Sequence, residues 1–380
     1  MGSEILPSQI DSDALWVIKR LRSKNYESYL TGGCVRDLLL KKIPKDFDVA
    51  TNAKPEEIRK IFRNSRLIGR RFLLAHIYFP GNKVIETATF RANPADIQED
   101  NSNDLLVIRD NVYGDIEQDA KRRDLTINGL FYNPINNEII DHVRGRTDLD
   151  ARLIRSIGDP EIRFQEDPVR ILRIIKFASR LEFEIEQETF MAMCKYANGI
   201  LRCAPARLRE EFVKLLTSTH STKAFKICKE IGIMNILIPE LSNDCEDMLL
   251  SLDLSRMRNI NISIPVALGC LLLPSYIFIK NTGQNEKRWI INVCENLANR
   301  ICITRADQCK LRNILMAVSD FKQVFINRSW FKDALTLNVI YLYSQGKSLR
   351  NSLYLKTISE NLNQIYPRIN QNNSVKTISF

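Results

Sequence analysis

The spacing of apolar residues divides the 380-residue chain into two parts. Before about residue 150, short strand-like apolar runs alternate with helical patterns, whereas beyond it nearly every apolar repeat has helical spacing. Eight of the 14 glycines lie in the first 150 residues, as expected where turns separate short elements. The pattern predicts an α+β fold, with a compact mixed head followed by an all-α remainder.

The head is predicted to alternate helices and strands. The pattern predicts helices over 8–27, 34–40, 55–64 and 111–123, and strands over 29–31, 66–79, 83–91, 125–132 and 139–142. A Pro-Gly-Asn turn at 80–82 makes a hairpin of the two strands around it. Thr51 or Asn52 is the expected N-cap of the third helix. Residues 92–104 are polar without periodicity and predict a mobile surface loop.

A glycine pair and two aspartates stand close together near the start of the head. Gly32 and Gly33 open the second predicted helix, and glycine lets the backbone approach a ligand closely. The free amides at a helix N-terminus attract anions such as phosphate. A short strand then carries Asp46 and Asp48, whose side chains would point to the same side.

Two aspartates that face one point repel each other unless a cation lies between them, and their hard oxygen atoms select Mg²⁺ or Mn²⁺. A lone glycine pair is usually a turn, and a lone Asp-x-Asp is usually a solvated strand face. At this spacing the two motifs together indicate a phosphate cradle beside a metal site. Phosphoryl and nucleotidyl transfer need that combination.

A second motif reads FQEDPVRILRIIKF. Asp167 is the expected N-cap of a helix that has Pro168 at its first position. Arg170, Arg173 and Lys176 follow at intervals of three and form one basic stripe. Taken alone, such a stripe is usually a solvated helix face.

Composition narrows the classes of function. A formal net charge of +10 and a pI of about 9.1 favour a polyanionic partner. The N-terminus has no signal pattern, and no apolar run approaches the ~20 residues of a membrane span. The longest run, 264–279, is interrupted by two prolines and a glycine and predicts a buried helix with a break. We therefore expect no membrane association.

Cysteine and histidine usage argues against two other kinds of site. The nine cysteines include no CxxC pair, so a zinc site is not expected. Their odd number, without a targeting signal, indicates reduced thiols and a cytoplasmic protein. With only three histidines in the chain, acids and a metal are expected to carry the chemistry.

Several motifs resemble one family. GGxVRD followed by KDFDVAT is similar to the nucleotidyltransferase signature of the class II tRNA nucleotidyltransferases and bacterial poly(A) polymerases, and RRDLTIN and EDPVRILR resemble further motifs of that family. The resemblance is close from about residue 28 to 183. It implies a polymerase-β-like nucleotidyltransferase head. It also implies four segments, namely an N-terminal helix (1–27), the catalytic head (28–155), a helical neck that recognises the base (156–225) and a helical body and tail that bind RNA (226–380).

The resemblance implies catalytic roles for several acids. Asp46 and Asp48 would bind two divalent ions, which lower the pKa of the attacking RNA 3′-hydroxyl and neutralise charge on the phosphate. Two residues compete to be the third carboxylate of such a site. Asp124 in RRDLTIN is favoured as catalytic, and Glu86 in the strand 83–91 is kept as an alternative metal ligand. Either acid could instead be an ordinary residue at a strand edge.

Nine residues are expected to bind the nucleotide, and they are Gly32, Gly33, Arg36, Arg123, Asn128, Asp167, Arg170, Arg173 and Lys176. Arginine suits a triphosphate because its donors fork bidentately, although Arg36 could instead form a surface salt bridge. Asn128 is the polar residue that closes the family's motif. Lys176 stands where the family usually has arginine, so a bidentate contact there would be weakened.

The chemistry of Asp167 and Arg170 accounts for base selection. A carboxylate only accepts hydrogen bonds and a guanidinium only donates them. Adenine and cytosine both offer a donor beside an acceptor, whereas guanine and uracil present the reverse order and would leave buried groups unpaired. The pair should admit A and C, and the size of the pocket must separate these two.

The stretch LIGRRFLLAHI at 67–77 resembles the segment that distinguishes bacterial poly(A) polymerases from CCA-adding relatives. We therefore expect template-independent addition of AMP from ATP to RNA 3′ ends, with release of pyrophosphate. CCA addition to tRNA is the alternative within the same class. A non-catalytic RNA-binding protein on this fold is the alternative from another class, and the presence of Asp46, Asp48 and Asp124 argues against it.

The expected partners are RNA 3′ ends and ATP. The chain ends NNSVKTISF, without the long basic tail of many members, so we expect a monomer with weak RNA affinity or help from RNA-decay or RNA-chaperone proteins. Basic residues that could contact RNA are Arg207, Arg209, Lys214 and Lys223, although a solvated helix face is the commoner role for such residues.

Overall fold

The structure, a computed structural model, describes residues 5–69, 73–92, 112–241, 244–319 and 329–345. Most of the predicted loop at 92–104 and the chain end lie outside these residues. The chain divides into two compact units, residues 1–211 with 230–233 and residues 212–229 with 234–380.

One mixed sheet organises the first unit. Its described strands are β1 (Ser28–Thr31), β2 (Asp48–Thr51), β3 (Ser65–Ile68), β4 (Leu74–Phe79), β5 (Lys83–Thr89), β6 (Leu130–Asn133) and β7 (Glu138–Asp141). They lie in the order β3-β4-β5-β2-β1-β6-β7. Only β2 and β5 are parallel among these neighbours, and their register places Asp48 opposite Glu86.

Helices surround this sheet and follow it in the chain. They are α1 (Ser12–Arg22), α2 (Gly33–Leu39), α3 (Pro55–Ile61), α4 (Ile116–Arg122), α5 (Gly145–Asp150), α6 (Pro160–Glu166), α7 (Val169–Leu181), α8 (Gln187–Tyr196) and α9 (Pro205–Leu216). A parallel pair of two-residue strands, β8 (Leu153–Ile154) and β9 (Glu184–Ile185), lies between them. The mixed sheet and the helices beyond it confirm the predicted α+β class.

One face of the sheet is buried under α1 and α3. Trp16 of α1 makes edge-to-face contacts with Phe62, which ends α3, and with Phe79 of β4, at centroid distances of 5.6 and 5.8 Å. α1 is shorter than the predicted 8–27 because Asp11 caps its first amides. The chain turns after α1 at Asn25, which has a φ of 65°.

The single strand predicted over 66–79 is wrong. This stretch contains β3 and β4, which pair antiparallel with each other. Gly69 follows β3 with a φ of 99°, a conformation that favours glycine and ends the strand. The predicted hairpin around Gly81 is confirmed, since β4 and β5 pair across a turn in which Gly81 has a φ of 77°.

Three other predicted boundaries differ from the structure. Lys54, rather than Thr51 or Asn52, is the N-cap of α3, and Thr51 instead belongs to β2. The strand predicted over 125–132 begins only at Leu130, because a 3₁₀ turn precedes it. Asp115 caps α4, so this helix begins later than the predicted residue 111.

The described second unit is helical. It contains part of α9, most of α10 (Ser221–Glu230) and α11 (Ile233–Leu237), and also α12 (Glu246–Met257), α13 (Ile264–Asn281), α14 (Glu286–Ile301), α15 (Arg305–Ser319) and α16 (Phe331–Ser344). α13 runs through Pro274 and packs against α12, α14, α15 and α16. By length and composition α13 could cross a bilayer, but 67% of it is buried inside the fold, which is typical of a core helix.

Candidate active site

A strained glycine turn joins β1 to α2. Gly32 has φ 72° and ψ −128°, a conformation that other residues rarely adopt, and its amide donates to the carbonyl of Leu130 at 3.1 Å. A Cβ at this position would lie only 3.0 Å from Nη1 of Arg123. Glycine is therefore needed for the backbone to pass this guanidinium.

Cys34 fastens this turn to the start of β2. Its thiol donates to the carbonyl oxygens of Thr31 at 3.2 Å and Asp48 at 3.9 Å. Burial, with help from the charge of Asp48, raises the pKa of Cys34 to about 12, so the thiol stays neutral. The glycine turn and Asp48 are thus held as neighbours.

Three carboxylates interact at this end of β2. The strand begins at Asp48, and Asp46 lies in a bend before it, so the prediction of one strand carrying both residues is wrong. Burial raises the pKa of Asp48 to about 6, and the charges of Glu86 and Asp46 add to this while Arg123 opposes it. The structure therefore brings Asp46, Asp48 and Glu86 into one electrostatic cluster.

The carboxylate oxygens of this cluster suit a divalent cation by their donor chemistry and not by their arrangement. Within the described ranges, no group of three or more His, Cys, Asp or Glu side chains is gathered in an arrangement that could hold a metal ion. Burial is the main reason that the pKa of Asp48 is raised, and a cation between the carboxylates would relieve the repulsion from Glu86 and Asp46 that adds to it. Oxygen ligands of this kind suit Mg²⁺.

Arg36 lies inside the fold. Its side chain is 2% exposed, so it does not form the surface salt bridge considered as an alternative. Nε and Nη2 donate to Asp37 Oδ1 at 2.9 and 2.7 Å, and Nη1 donates to Asn128 Oδ1 at 2.6 Å. The guanidinium also lies over the ring of Phe177, at 5.1 Å from its centroid. Direct contact of Arg36 with a triphosphate stays a prediction.

Arg123 is the more accessible of the two arginines predicted to bind phosphate, with its side chain 22% exposed. Nε and Nη2 donate to Asp119 Oδ2 at 3.2 and 2.9 Å, and Nη1 donates to the carbonyl of Asn128 at 3.2 Å. These bonds fix the guanidinium beside Gly32 and close enough to Asp48 to oppose its pKa shift.

Asp124 joins a different group of charges. Its Oδ2 lies 2.9 Å from Nη2 of Arg173 on α7. Burial alone would raise the pKa of Asp124, but the charges of Arg173 and Arg170 outweigh burial and hold that pKa below its usual value. The structure thus pairs Asp124 with the second sequence motif, and its role in catalysis stays a prediction.

The basic stripe of α7 is partly buried rather than solvated. Arg170, Arg173 and Lys176 are all partly buried, and Lys176 Nζ donates to Glu211 Oε2 at 3.1 Å. Nε and Nη1 of Arg170 are buried and have no hydrogen-bond partner among the described residues. Burial, together with Arg163, lowers the pKa of Arg170. Two donors of Arg170 are therefore available for a ligand.

Asp167 does not cap α7 as predicted. The helix begins at Val169 with Pro168 as its N-cap. The carboxylate of Asp167 instead accepts from Nη2 of Arg207 at 2.8 Å, through its Oδ2. Arg207, which was a candidate for RNA contacts, is thus bonded to the EDPVRILR motif.

The sequence did not indicate that Arg163 and Phe177 contact residues of the candidate site. Arg163 donates from Nη2 to the carbonyls of Lys121 at 2.6 Å and Arg123 at 3.4 Å, and so holds the backbone of the RRDLTIN motif. The ring of Phe177 lies between Arg36 and Lys176, at 5.1 and 5.0 Å. The partners of Arg163 and Arg36 are far away in the sequence, so no local pattern indicates these contacts.

Two family models match the chain. Residues 28–155 match the poly A polymerase head domain, and residues 182–245 match a domain described as a probable RNA and SrmB-binding site of polymerase A. Among curated proteins, poly(A) polymerase I of Haemophilus influenzae is 48% identical over 244 residues, 63% of this chain and 54% of the relative. The CCA-adding enzyme of Lactobacillus gasseri is 36% identical over 225 residues, 59% of this chain and 55% of the relative.

Solved structures of CCA-adding enzymes have a fold similar to that of this chain. The CCA-adding enzyme of Bacillus stearothermophilus in complex with CTP has a TM-score of 0.68 at 24% identity, and the match covers 95% of this chain and 82% of that one. The chain spans about half the length of the curated relatives that it matches. Residues 28–155 therefore belong to the family of poly A polymerase head domains, and residues 182–245 to the family of the probable RNA- and SrmB-binding domain of polymerase A.

Proposed function

We propose that this protein adds AMP from ATP to RNA 3′ ends without a template and releases pyrophosphate. The observation that carries the proposal is the position of Asp48. Its partly buried carboxylate lies near Glu86 and Asp46. Its backbone carbonyl contacts the thiol of Cys34, which follows the glycine turn beside Arg123. The 48% identity to a poly(A) polymerase I over 54% of that enzyme supports the choice of AMP.

Asp46 and Asp48 would hold Mg²⁺, for which Mn²⁺ is a chemical substitute, with Glu86 as a further ligand. The metal, when bound, activates the RNA 3′-hydroxyl and neutralises charge on the reacting phosphate. The turn at Gly32 lets the triphosphate approach the backbone, and Arg123 donates to its oxygens. Cys34 keeps the turn and Asp48 at a fixed separation.

Base selection would rest on the start of α7. The two unpartnered donors of Arg170 suit the N1 acceptor of adenine. Asp167 would accept from the adenine amino group through the oxygen that Arg207 does not occupy. The ion pair with Asp124 fixes the position of Arg173, the middle residue of the basic stripe on α7.

RNA binding would rest on the net charge of +10 and on residues 182–245, the part that matches an RNA- and SrmB-binding domain. Contacts with phosphates make affinity fall steeply with salt. An RNA-chaperone or RNA-decay protein is the proposed partner of the same segment. We place the activity in the cytoplasm, with the protein as a monomer.

CCA addition to tRNA remains the second candidate, because a curated CCA-adding relative is 36% identical over much of the same stretch. The test supplies Mg²⁺ with ATP alone or CTP alone, on a generic single-stranded RNA and on a tRNA that lacks its CCA end. Long A ladders on the generic RNA support the proposal. Incorporation of C into the tRNA would favour the second candidate, and no incorporation with bound RNA would favour a non-catalytic RNA-binding protein.

A further inference from the structure

A row of polar side chains crosses the sheet from its edge to the candidate metal site. Arg66 on β3 pairs with His76 on β4, His76 pairs with Glu86 on β5, and Glu86 pairs with Asp48 on β2. Residues paired directly across neighbouring strands share a face, and adjacent strands lie about 4.8 Å apart. The four side chains therefore form one line on one face.

The β3–β4 part of this face is open in the part of the chain that the structure describes, whereas near β2 and β6 the same face packs, through Ala50 and Phe131, against Ala120 of α4. Arg66 and Glu86 are exposed on it, and Tyr78, which follows His76 on the same side of β4, is 37% exposed. The opposite face carries buried residues, namely Ser65, Ala75, Ile77, Ile85 and Thr87. That opposite face lies under α1 and α3, as the contacts of Trp16 with Phe79 and Phe62 show.

Charged and aromatic groups are in contact on the open face. The guanidinium carbon of Arg66 lies 5.8 Å from the centroid of the Tyr78 ring. The rings of His76 and Tyr78 are 6.5 Å apart at 57°, and Nε2 of His76 lies 3.6 Å from Oε1 of Glu86. Proteins that bind single-stranded nucleic acids combine cations for the phosphates with aromatic rings on which bases stack.

We propose that this β3–β4 face, formed by Arg66, His76 and Tyr78, binds the last nucleotides of the single-stranded RNA that is extended. Tyr78 stacks on a base, Arg66 pairs with a phosphate, and the line of side chains leads the 3′ end toward Asp48. The proposal rests on the proposed function, since it gives the RNA a path to the same site. Residues 67–68 and 74–77 of the stretch LIGRRFLLAHI lie on β3 and β4, respectively.

The competing explanation is that Arg66 only protects an edge strand. β3 is the edge of the sheet, and charged side chains on an edge strand discourage pairing with other chains. That role needs neither the ring contact with Tyr78 nor a row in register with Asp48. The two explanations differ in whether Tyr78 contributes to RNA affinity.

The test measures binding of a short 5′-labelled oligoadenylate by fluorescence anisotropy without ATP, so that catalysis plays no part. Tyr78→Ala should weaken binding about 10-fold, the effect of one lost base stack, while Tyr78→Phe should bind as the unmodified protein does. Arg66→Ala should also weaken binding and should reduce the slope of log affinity against log salt by about 0.7. Arg59→Ala is the matched control, because it removes the same charge from an exposed position of α3, on the other side of the sheet.

Unchanged affinity in both Tyr78→Ala and Arg66→Ala would overturn this proposal, whether or not the protein extends RNA. The proposal would also be overturned if Arg59→Ala and Arg66→Ala lost RNA affinity equally while Tyr78→Ala kept the affinity of the unmodified protein, because net charge alone would then explain the effect. If no RNA is extended with any nucleotide but Tyr78→Ala loses affinity, the proposed function fails and the binding face stands.

Discussion

At the residue scale, Asp48 carries an interaction that opposes folding. Burial of its carboxylate, with added repulsion from Glu86 and Asp46, raises the pKa of Asp48 to about 6, while Arg123 acts in the opposite direction. An acid with a raised pKa in the folded state makes that state less stable at neutral pH, because its charged form is disfavoured there. Such an arrangement is typical of a residue that serves a ligand.

We predict that Asp48→Asn has an equal or higher Tm than the unmodified protein at neutral pH and without divalent ions. The substitution removes a repelled charge and keeps the shape of the side chain. Thermal unfolding followed by circular dichroism measures this, with Asp13→Asn as the control, because Asp13 is paired with Lys83 at 2.6 Å and should lose stability. A clear fall in the Tm of Asp48→Asn would show that the carboxylate stabilises the fold.

Gly32 and Gly81 both have a positive φ, 72° and 77°, but their ψ angles differ, at −128° and 24°. Alanine should cost about 1–2 kcal/mol of stability at Gly81, which is left-handed, and more at Gly32, whose conformation is nearly restricted to glycine. Only at Gly32 does the new Cβ meet Arg123 Nη1, at 3.0 Å, whereas at Gly81 nothing lies within 4 Å. We therefore expect Gly32→Ala to lower AMP incorporation about 10-fold or more and to raise the KM for ATP, because a displacement near 1 Å at such a site is costly.

Equal activity of Gly32→Ala and Gly81→Ala would contradict this account of the turn. Initial rates of incorporation at several ATP concentrations separate the effect on KM from the effect on kcat. The loss of Tm should be larger for Gly32→Ala than for Gly81→Ala, because the two glycines differ in ψ as well as in the contact with Arg123.

The sequence indicated candidate residues for the site but not the side chains that contact them. The motifs pointed to Gly32, Arg36 and Asp48, because glycine and paired acids leave a local signal. The burial of Arg36 had no such signal, since its bond to Asn128 spans 92 positions. Long-range contacts of this kind follow from the fold and not from the spacing of a motif.

At the scale of elements, Asp124 connects the turn before β6 to α7 through Arg173. Because its folded pKa is lowered, its contribution to stability is present above the ordinary aspartate pKa of about 3.9 and is lost as the pH falls through the lowered folded value. We predict that Asp124→Asn loses about 1–2 kcal/mol at neutral pH, a modest figure since Arg173 is partly exposed.

The measurement is Tm as a function of pH for both proteins. The difference should shrink as the pH falls below about 4. A difference in Tm that stays constant into the acid range would contradict the ion pair as its cause. Arg173→Ala, alone and combined with Asp124→Asn, then gives the coupling energy between the two residues.

Strand register was the other part of the fold that the sequence did not reveal. The stretch 66–79 has apolar residues on both sides, so its reversal at Gly69 could not be separated from one long strand. The register that places Arg66, His76, Glu86 and Asp48 in one line depends on pairing between distant strands. By contrast, the β4–β5 hairpin was predictable because Pro80, Gly81 and Asn82 specify a turn.

At the scale of the whole molecule, the chain combines a unit that carries the candidate site with a helical unit built around α13. Gly269 on α13 lies against α16, and a Cβ there would be 2.7 Å from Leu337 Cδ2. We predict that Gly269→Leu destabilises the second unit by about 1–3 kcal/mol, as overpacking does. Phe278→Leu is the control, because Phe278 is 45% exposed on the same helix.

Thermal unfolding should show a lower Tm for Gly269→Leu and little change for Phe278→Leu. Calorimetric titration with ATP should give similar affinities for both variants, because the candidate site lies in the first unit. An unchanged Tm for Gly269→Leu would contradict the position of α13 as a packed core helix.

The most direct test of the central claim is the rate of AMP incorporation into RNA by the double variant Asp46→Asn with Asp48→Asn, in the presence of Mg²⁺. Because the two amides keep the size of the side chains but cannot replace carboxylates as anionic ligands, we predict that the variant folds and that its incorporation falls to background. Incorporation at the rate of the unmodified protein would contradict the claim that these two acids hold the metal for nucleotidyl transfer.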